Sequence, residues 1–492
     1  MSTSLLKLVK QTSIYSLGSL LMKGAGFLLA FLYLDPELLP QASYGRLALL
    51  ESTAKVAVPL FGLGLANGLL KFWGGPDDDR ERGELSFTAV VGGAAGGAVV
   101  AGLAVVFAEP LATGLLNDAR FAPAVRLMGL YSAFRVLALA PTAYLRNAER
   151  VWLLVLAIFG EMVLLVGGAY VALVVRGAGL NGLVVAYVVS AGLSAVVVTV
   201  GVLTRLPWRF RTDALRRLMA FGAPLAVAGL GVVLLNLADR FLLEALDSLD
   251  TVAVYDWASR LGSVLYLVLV SSFSSAFSVL GVKALDREGG AGAGEAALHR
   301  RTFRHYAVWA GWGVLGLSLA AYDGTRWISP NPAFLAVESL VLPVAAGFMV
   351  YGVYYILVNI LYAAGLTGRI AVNLLAATLF NVGLNVVLIP SLGALGAALA
   401  TVLAYTALTA VTAWTVAREV GTRFRWSLLV RVLALVGVLF GVGHLSLDWP
   451  TAGRIAWRAG VVLAYLPLVV AIGLYPWREV REVAGRLRDA RR

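Results

Sequence analysis

The chain has 492 residues, 60% of them hydrophobic and only 14% charged, with a mean hydropathy of +0.84. A water-soluble fold cannot bury that much apolar surface, so the composition specifies an integral membrane protein and excludes a soluble domain architecture. The net charge of +12 has no basic patch interleaved with aromatics, which argues against a nucleic-acid partner, and the absence of cysteine excludes disulfides, thiol catalysis and thiolate-bound metal.

The first apolar run, 12–34, has the length of a membrane-spanning helix, and Lys23 sits at its middle. At about 1.5 Å per residue, Lys23 lies about 16 Å from either end, farther than a lysine snorkels. A lipid-facing cation at that depth is costly, so Lys23 is expected to face a water-filled cavity built for something negative. Lys7 and Lys10 precede the run as they would in a signal peptide, but Lys23 interrupts it and no convincing cleavage site follows, so it reads as a retained span.

Apolar runs of spanning length continue at 47–70, 86–108, 121–143, 151–175, 181–203, 218–241, 252–280, 303–322, 335–361, 370–390, 393–416, 427–446 and 455–475. These are numbered below as spans 1 to 14. Lys and Arg concentrate in the N-terminus and the even-numbered gaps, which places both termini in the cytoplasm. The longest loop within the bundle, Gly281–Thr302, contains GGAGAGE, a flexible linker composition.

An internal repeat is visible. YGRLALLESTAK at Tyr44 and YDWASRLGSVL at Tyr255 open spans 2 and 8, an offset of 211 residues. GAGLNGLVVAY and SLGALGAALATVLAY enter spans 6 and 12, and Gly182 and Gly396 are offset by 214. Two landmarks with nearly equal offsets predict two six-helix lobes in the same orientation, a parallel repeat. The expected fold is an all-α polytopic membrane protein of about 14 transmembrane helices: lobes at 1–208 and 209–425, then two additional helices and a basic tail at 426–492.

Several motifs have bland readings. GAGLNG (Gly177–Gly182) matches a dinucleotide-binding glycine pattern, but it lies between two spans with no acidic residue at the required distance; it reads as an outer turn. No Gly-Lys pair occurs, so there is no P-loop and no cofactor is expected. The acidic run Asp77–Glu84, with Arg80 and Arg82 interleaved, reads as a solvated loop. The three histidines lie near span boundaries, and no metal cluster is implied.

The intramembrane charges carry more information. Arg135 lies about 12 Å inside span 4 and favours a cavity role, whereas Arg126 and Arg458, near outer ends, read as interfacial. Glu51–Lys55 and Asp256–Arg260 are i,i+4 pairs with the acid first, the order that favours self-neutralisation. Glu161 has no opposite charge one turn away, so it is either a proton-coupling carboxylate or the partner of a cation from another span. Pro59, Pro141, Pro224 and Pro343 are positioned to bend spans, and the Gly/Ala-rich Gly92–Gly97 reads as close helix packing.

The start LLKLVKQTSIYSLGSLLMKGAGFLLAFLYL, the outer ASYGRLALL and the stretch NLADRFLLEALDSLDTVAVYDWASRLGSVL resemble the oligosaccharide flippases. These include the O-antigen and polysaccharide flippases of the multidrug/oligosaccharidyl-lipid/polysaccharide (MOP) exporter superfamily. The resemblance covers essentially the whole chain through diffuse patterns. It implies two lobes that alternate access to a central cationic cavity, moving undecaprenyl-diphosphate-linked oligosaccharides across the bacterial cytoplasmic membrane. By the same resemblance, Lys23 occupies a position that is often basic, and Asp239–Arg240 match an acidic-basic pair near the end of span 7. Lys23, Arg135, Lys55 and Arg260 are candidates for pairing with the diphosphate, and Glu161 and Asp256 for ion or proton coupling. Tyr131, Tyr255 and Trp257 either stack on sugars or anchor the interface.

The implied partners are the polyprenyl-diphosphate-linked oligosaccharide and the lipid bilayer, with polysaccharide polymerase and other assembly enzymes beside them. The competing readings are a multidrug exporter of the same superfamily, a flippase for lipid-linked peptidoglycan precursor, a membrane enzyme and a non-transporting scaffold. The enzyme reading lacks convergent acid/base or metal residues on a substantial loop. The scaffold has little reason to retain buried charges.

Overall fold

The computed structural model describes residues 24, 26–75, 78–270, 293–421 and 426–477, so Lys23 and most of span 1 lie outside the described residues. Within them all regular structure is helical. Ten of the described helices are long and apolar enough to cross a membrane, or eleven when the bent pair Gln41–Gly62 and Leu65–Phe72 counts as one. That pair is span 2. It bends by 49° where Leu63 and Gly64 take left-handed φ values of 48° and 65°, just past Pro59.

Spans 3 to 8 are Asp79–Val106, Ala122–Asn147, Val151–Tyr170 with a π turn at Val171–Val175, Gly179–Leu203, Thr212–Leu246, and Leu249–Leu265 with a π turn at Tyr266–Val270. Span 9 is Ala293–Ile328 and span 10 is Val337–Ala363. Spans 11 and 12 run together in Thr367–Glu419 across a break at Gly393, whose φ of 53° and ψ of −131° lie outside the helical region. Spans 13 and 14 are Trp426–His444 and Thr451–Ala471. The chain is an all-α polytopic membrane protein of about fourteen spans.

The residues divide into two compact units. One ends at Ala253 and takes in Ile328–Asn331; the other comprises Val254–Trp327 and everything from Pro332 onward.

In the first unit, span 4 packs against spans 2, 3 and 6. Gly96 and Gly97 make the approach of span 3 possible: a Cβ would stand 2.2 Å from the Phe61 carbonyl oxygen at the first and 2.8 Å from that of Ala133 at the second. Span 7 packs on span 2 through Gly64 and Gly222, where a Cβ on either would lie about 2 Å from the other's carbonyl oxygen. The repeat landmarks Tyr44, Tyr187, Tyr255 and Tyr405 are all buried.

The acidic run departs from the expected solvated loop. Asp78 caps span 3 by accepting from the Arg80 amide, and the buried Glu84 receives Arg80, Arg209 and Arg211 at 3.4–3.7 Å. The same carboxylates that solvate a loop also stabilise a helix N-terminus, and the interleaved arginines neutralise them.

In the second unit, span 14 is tied to spans 9 and 10 by buried ion pairs. Both guanidiniums, on Arg454 and Arg458, reach Asp323, and Arg458 Nη2 also reaches Glu338 at 2.9 Å. Arg458 is therefore paired in the protein interior, contrary to the interfacial role expected from its position near a helix end. Two carboxylates from neighbouring spans make its burial possible.

Candidate functional site

Mid-membrane charges survive only with partners or water. In the first unit two such pairs, one within span 2 and one between spans 4 and 5, belong to one connected set. On span 2, Lys55 Nζ lies 3.3 Å from Glu51 Oε2, the i,i+4 contact expected from the sequence. The other carboxylate oxygen, Oε1, accepts from the Tyr187 hydroxyl of span 6, which in turn lies 3.1 Å from the Tyr33 hydroxyl of span 1. The Tyr187 ring meets Tyr131 of span 4 edge-on at 5.7 Å. One turn further along span 4, Arg135 places its guanidinium 6.0 Å from the Tyr131 ring centre and donates to Glu161 Oε1 of span 5 at 2.8 Å.

Glu161 thus has a cation from another span, the second of the two arrangements its sequence allows. By helical rise Arg135 is about 20 Å from the start of span 4, and Lys55 about 21 Å from the start of span 2.

Two cations and two anions balance in number but not in position. The side chains of Glu51 and Glu161 are 10% and 7% exposed, while those of Lys55 and Arg135 are 56% and 41% exposed. The carboxylates are enclosed by protein, whereas the side chains of the two cations retain about half of their surface. A multivalent anion meets ammonium and guanidinium groups first, and the guanidinium offers a planar fork of donors for phosphate oxygens.

The second unit carries its own pair, Arg260 Nε to Asp256 Oδ2 at 2.6 Å on span 8, with the carboxylate again the more deeply buried partner. Asp239 and Arg240 on span 7 are both buried and bond each other at 3.1 Å. Arg126 stands 4.0 Å from Glu109 and is well exposed, as an interfacial residue would be.

Two aromatics proposed for sugar stacking are in the core. Tyr255 and Trp257 are fully buried, and the Trp257 indole donates to Thr325. They neither reach sugars nor anchor an interface, because the helix face they occupy is the packing face. Tyr131 remains half-buried beside the charged set.

Tyr187 and Tyr33 carry the connections between spans, yet as tyrosines in apolar runs they gave no chemical signal; only the repeat landmark marked Tyr187. Asn381 and Asn385, one turn apart on span 11 and fully buried, also escaped notice. The Asn385 amide donates to Asn381 at 3.1 Å, leaving Asn381 Nδ2 and Asn385 Oδ1 without a protein partner, as groups served by buried water are. Among the described residues, no three His, Asp or Glu side chains converge as a metal site.

A family described as "Polysaccharide biosynthesis protein" matches residues 38–281. Over that stretch the chain is similar to the polysaccharide biosynthesis proteins. Its fold is also found in solved structures of low sequence identity. A structure of the lipid II flippase MurJ in an inward closed conformation superposes with a TM-score of 0.75 at 13% identity, over 95% of this chain and all of that one. A multidrug resistance MATE family transporter of the MOP superfamily, inward-facing, has a TM-score of 0.68 at 13% identity, over 81% of this chain and 94% of the other. A MOP superfamily transporter from Pyrococcus furiosus gives 0.57 at 13% identity, over 84% and 95%. No curated protein matches this chain by sequence.

Proposed function

We propose that the chain translocates undecaprenyl-diphosphate-linked oligosaccharide units across the bacterial cytoplasmic membrane by alternating access, with both termini cytoplasmic, for surface polysaccharide assembly. The observation that carries this reading is the asymmetric exposure of the mid-membrane charges: Lys55 and Arg135 open, Glu51 and Glu161 enclosed. A lipid diphosphate needs cations at membrane depth, and the family match supports a polysaccharide context.

In this proposal Lys23, Lys55 and Arg135 are the cations that receive the diphosphate, and Arg260 offers a further cation in the second unit. When Arg135 turns from Glu161 to the diphosphate, Glu161 loses its cation and is neutralised by a proton or small cation, which couples the substrate to an ion gradient. Asp256 plays the same part beside Arg260. The repeat halves at 1–208 and 209–425 supply the alternating motion, and 426–492 accompanies the second. Transport, with no bond made or broken, is the whole activity; a polysaccharide polymerase and other assembly enzymes act on the product.

The test is made on cells depleted of the protein: lipid-linked oligosaccharide is extracted and its leaflet probed with a membrane-impermeant enzyme. Cytoplasm-facing accumulation, rescued by wild type and not by Lys23→Ala or Arg135→Ala, is expected. Normal distribution with altered drug sensitivity would replace this reading with the multidrug exporter.

A further inference from the structure

Glu51 is held from two sides by groups of different kinds. Its Oε2 faces the Lys55 ammonium at 3.3 Å, a contact between charges. Its Oε1 faces a row of two phenols: it accepts from the Tyr187 hydroxyl, which stands 3.1 Å from the Tyr33 hydroxyl, and in that second contact either oxygen can be the donor. Glu51, Tyr187 and Tyr33 are all buried, while the Lys55 side chain is 56% exposed.

A phenol both donates and accepts. An ionised carboxylate only accepts, and a protonated one gains a donor. The row Glu51–Tyr187–Tyr33 therefore has two complete hydrogen-bonding arrangements with its heavy atoms in the same places. With Glu51 ionised, Tyr33 donates to Tyr187 and Tyr187 donates to Oε1. With Glu51 protonated on Oε1, the carboxyl donates to Tyr187 and Tyr187 donates to Tyr33. Only hydrogens move between the two. A buried carboxyl served in this way changes its charge without stranding a polar group, which is the costly outcome for an ordinary buried acid.

The surrounding charge decides which arrangement holds. Among the described residues, the spans packed on span 2 bring Tyr131 and Arg135 of span 4 and Asp239 and Arg240 of span 7. Arg135 is matched by Glu161 of span 5, and Asp239 and Arg240 by each other. Lys55 stands in direct contact with Glu51 and is the partner that retains exposed surface. When its ammonium turns to an anionic ligand, the Glu51 carboxylate loses opposite charge in a membrane interior, and the protonated arrangement becomes the favoured one.

We propose that Glu51 is a proton-accepting group of the transport site, beside Glu161, and that Tyr187 and Tyr33 are its positioning residues. A proton from water forms the O–H bond on Oε1 as the diphosphate engages Lys55. The same bond breaks, and the proton returns to water, when the diphosphate leaves and Lys55 swings back. By linkage, protonation of Glu51 and binding of the diphosphate strengthen each other. This deepens the diphosphate reading above and rests on it.

The test uses the purified full chain in nanodiscs with undecaprenyl diphosphate as the probe. Affinity is measured together with the protons taken up on binding in weakly buffered solution. Glu51→Gln imitates the protonated carboxyl, so at neutral pH it is expected to bind the probe more tightly than wild type and to take up about one proton fewer. A variant that merely damages the structure would bind more weakly. Tyr33→Phe removes the acceptor that Tyr187 uses only in the protonated arrangement. Its proton uptake is expected to need about tenfold more free protons to reach the wild-type level, as for one buried donor left unserved. Proton uptake by Glu51→Gln equal to that of wild type, or a Tyr33→Phe profile unchanged in pH, would overturn the proposal and leave diphosphate binding standing. Failure of wild type to bind undecaprenyl diphosphate would overturn both.

Discussion

The buried cluster joining span 14 to spans 9 and 10 allows a quantitative test through Asp323. Its carboxylate is shared: Oδ1 accepts from Arg454 Nε at 2.9 Å and from Nη2 of the same guanidinium, and Oδ2 lies 3.3 Å from Arg458 Nη1. Arg454 spends its remaining nitrogen on the Leu447 and Trp449 carbonyls at 3.1 and 3.0 Å, and its side chain is 3% exposed. With Glu338 the cluster contains two guanidiniums and two carboxylates.

Asp323→Asn leaves two buried guanidiniums facing one carboxylate. Removing one partner of a buried pair costs about 3–5 kcal/mol, because the remaining charge is left uncompensated. At about 2–4 °C per kcal/mol for a body of this size, the melting temperature in detergent should fall by roughly 10 °C. Arg454→Met should cost a comparable amount, since it also strands two carbonyls. In a double-mutant cycle the two changes together should cost clearly less than their sum, since both break one contact. Hydrogen exchange should place the loosening in residues 426–471. Additive single-variant losses, or loosening spread evenly over both units, would refute the clamp.

The remaining expectations concern the first unit. Glu161→Gln should fold, because the amide oxygen still accepts from Arg135, but its flipping should lose sensitivity to uncouplers; wild-type activity with wild-type sensitivity would remove Glu161 from coupling. Tyr187→Phe deletes the hydroxyl between Glu51 and Tyr33 and should destabilise by about 1–3 kcal/mol, read as a lower melting temperature, with the Lys55–Glu51 contact kept. Gly222→Ala should abolish the folded protein as judged by gel-filtration profile, because its Cβ would stand 2.1 Å from the Gly64 carbonyl oxygen on a backbone that cannot yield; a monodisperse variant would show that spans 2 and 7 pack elsewhere.

Much of the architecture was legible without coordinates because membrane burial imposes length and hydropathy on each span separately. The i,i+4 pairs Glu51–Lys55 and Asp256–Arg260 were legible too, since helical periodicity alone brings those groups together. The pairing of Arg135 with Glu161 was left open, and Arg458 was misread, because both depend on which face of one span meets which face of another. Tyr255 and Trp257 were misread for the same reason: an aromatic at a span start is equally compatible with an anchor and with a core residue.

The sequence by itself determined the class of solvent, the number of spans, the repeat and the presence of charges too deep to be accidental. Tertiary structure decided which charges neutralise each other, which remain open, and which tyrosines converge. Hydrophobic length is a property of one helix, whereas a partner within 3 Å exists only after packing has chosen the neighbouring helix and its rotation.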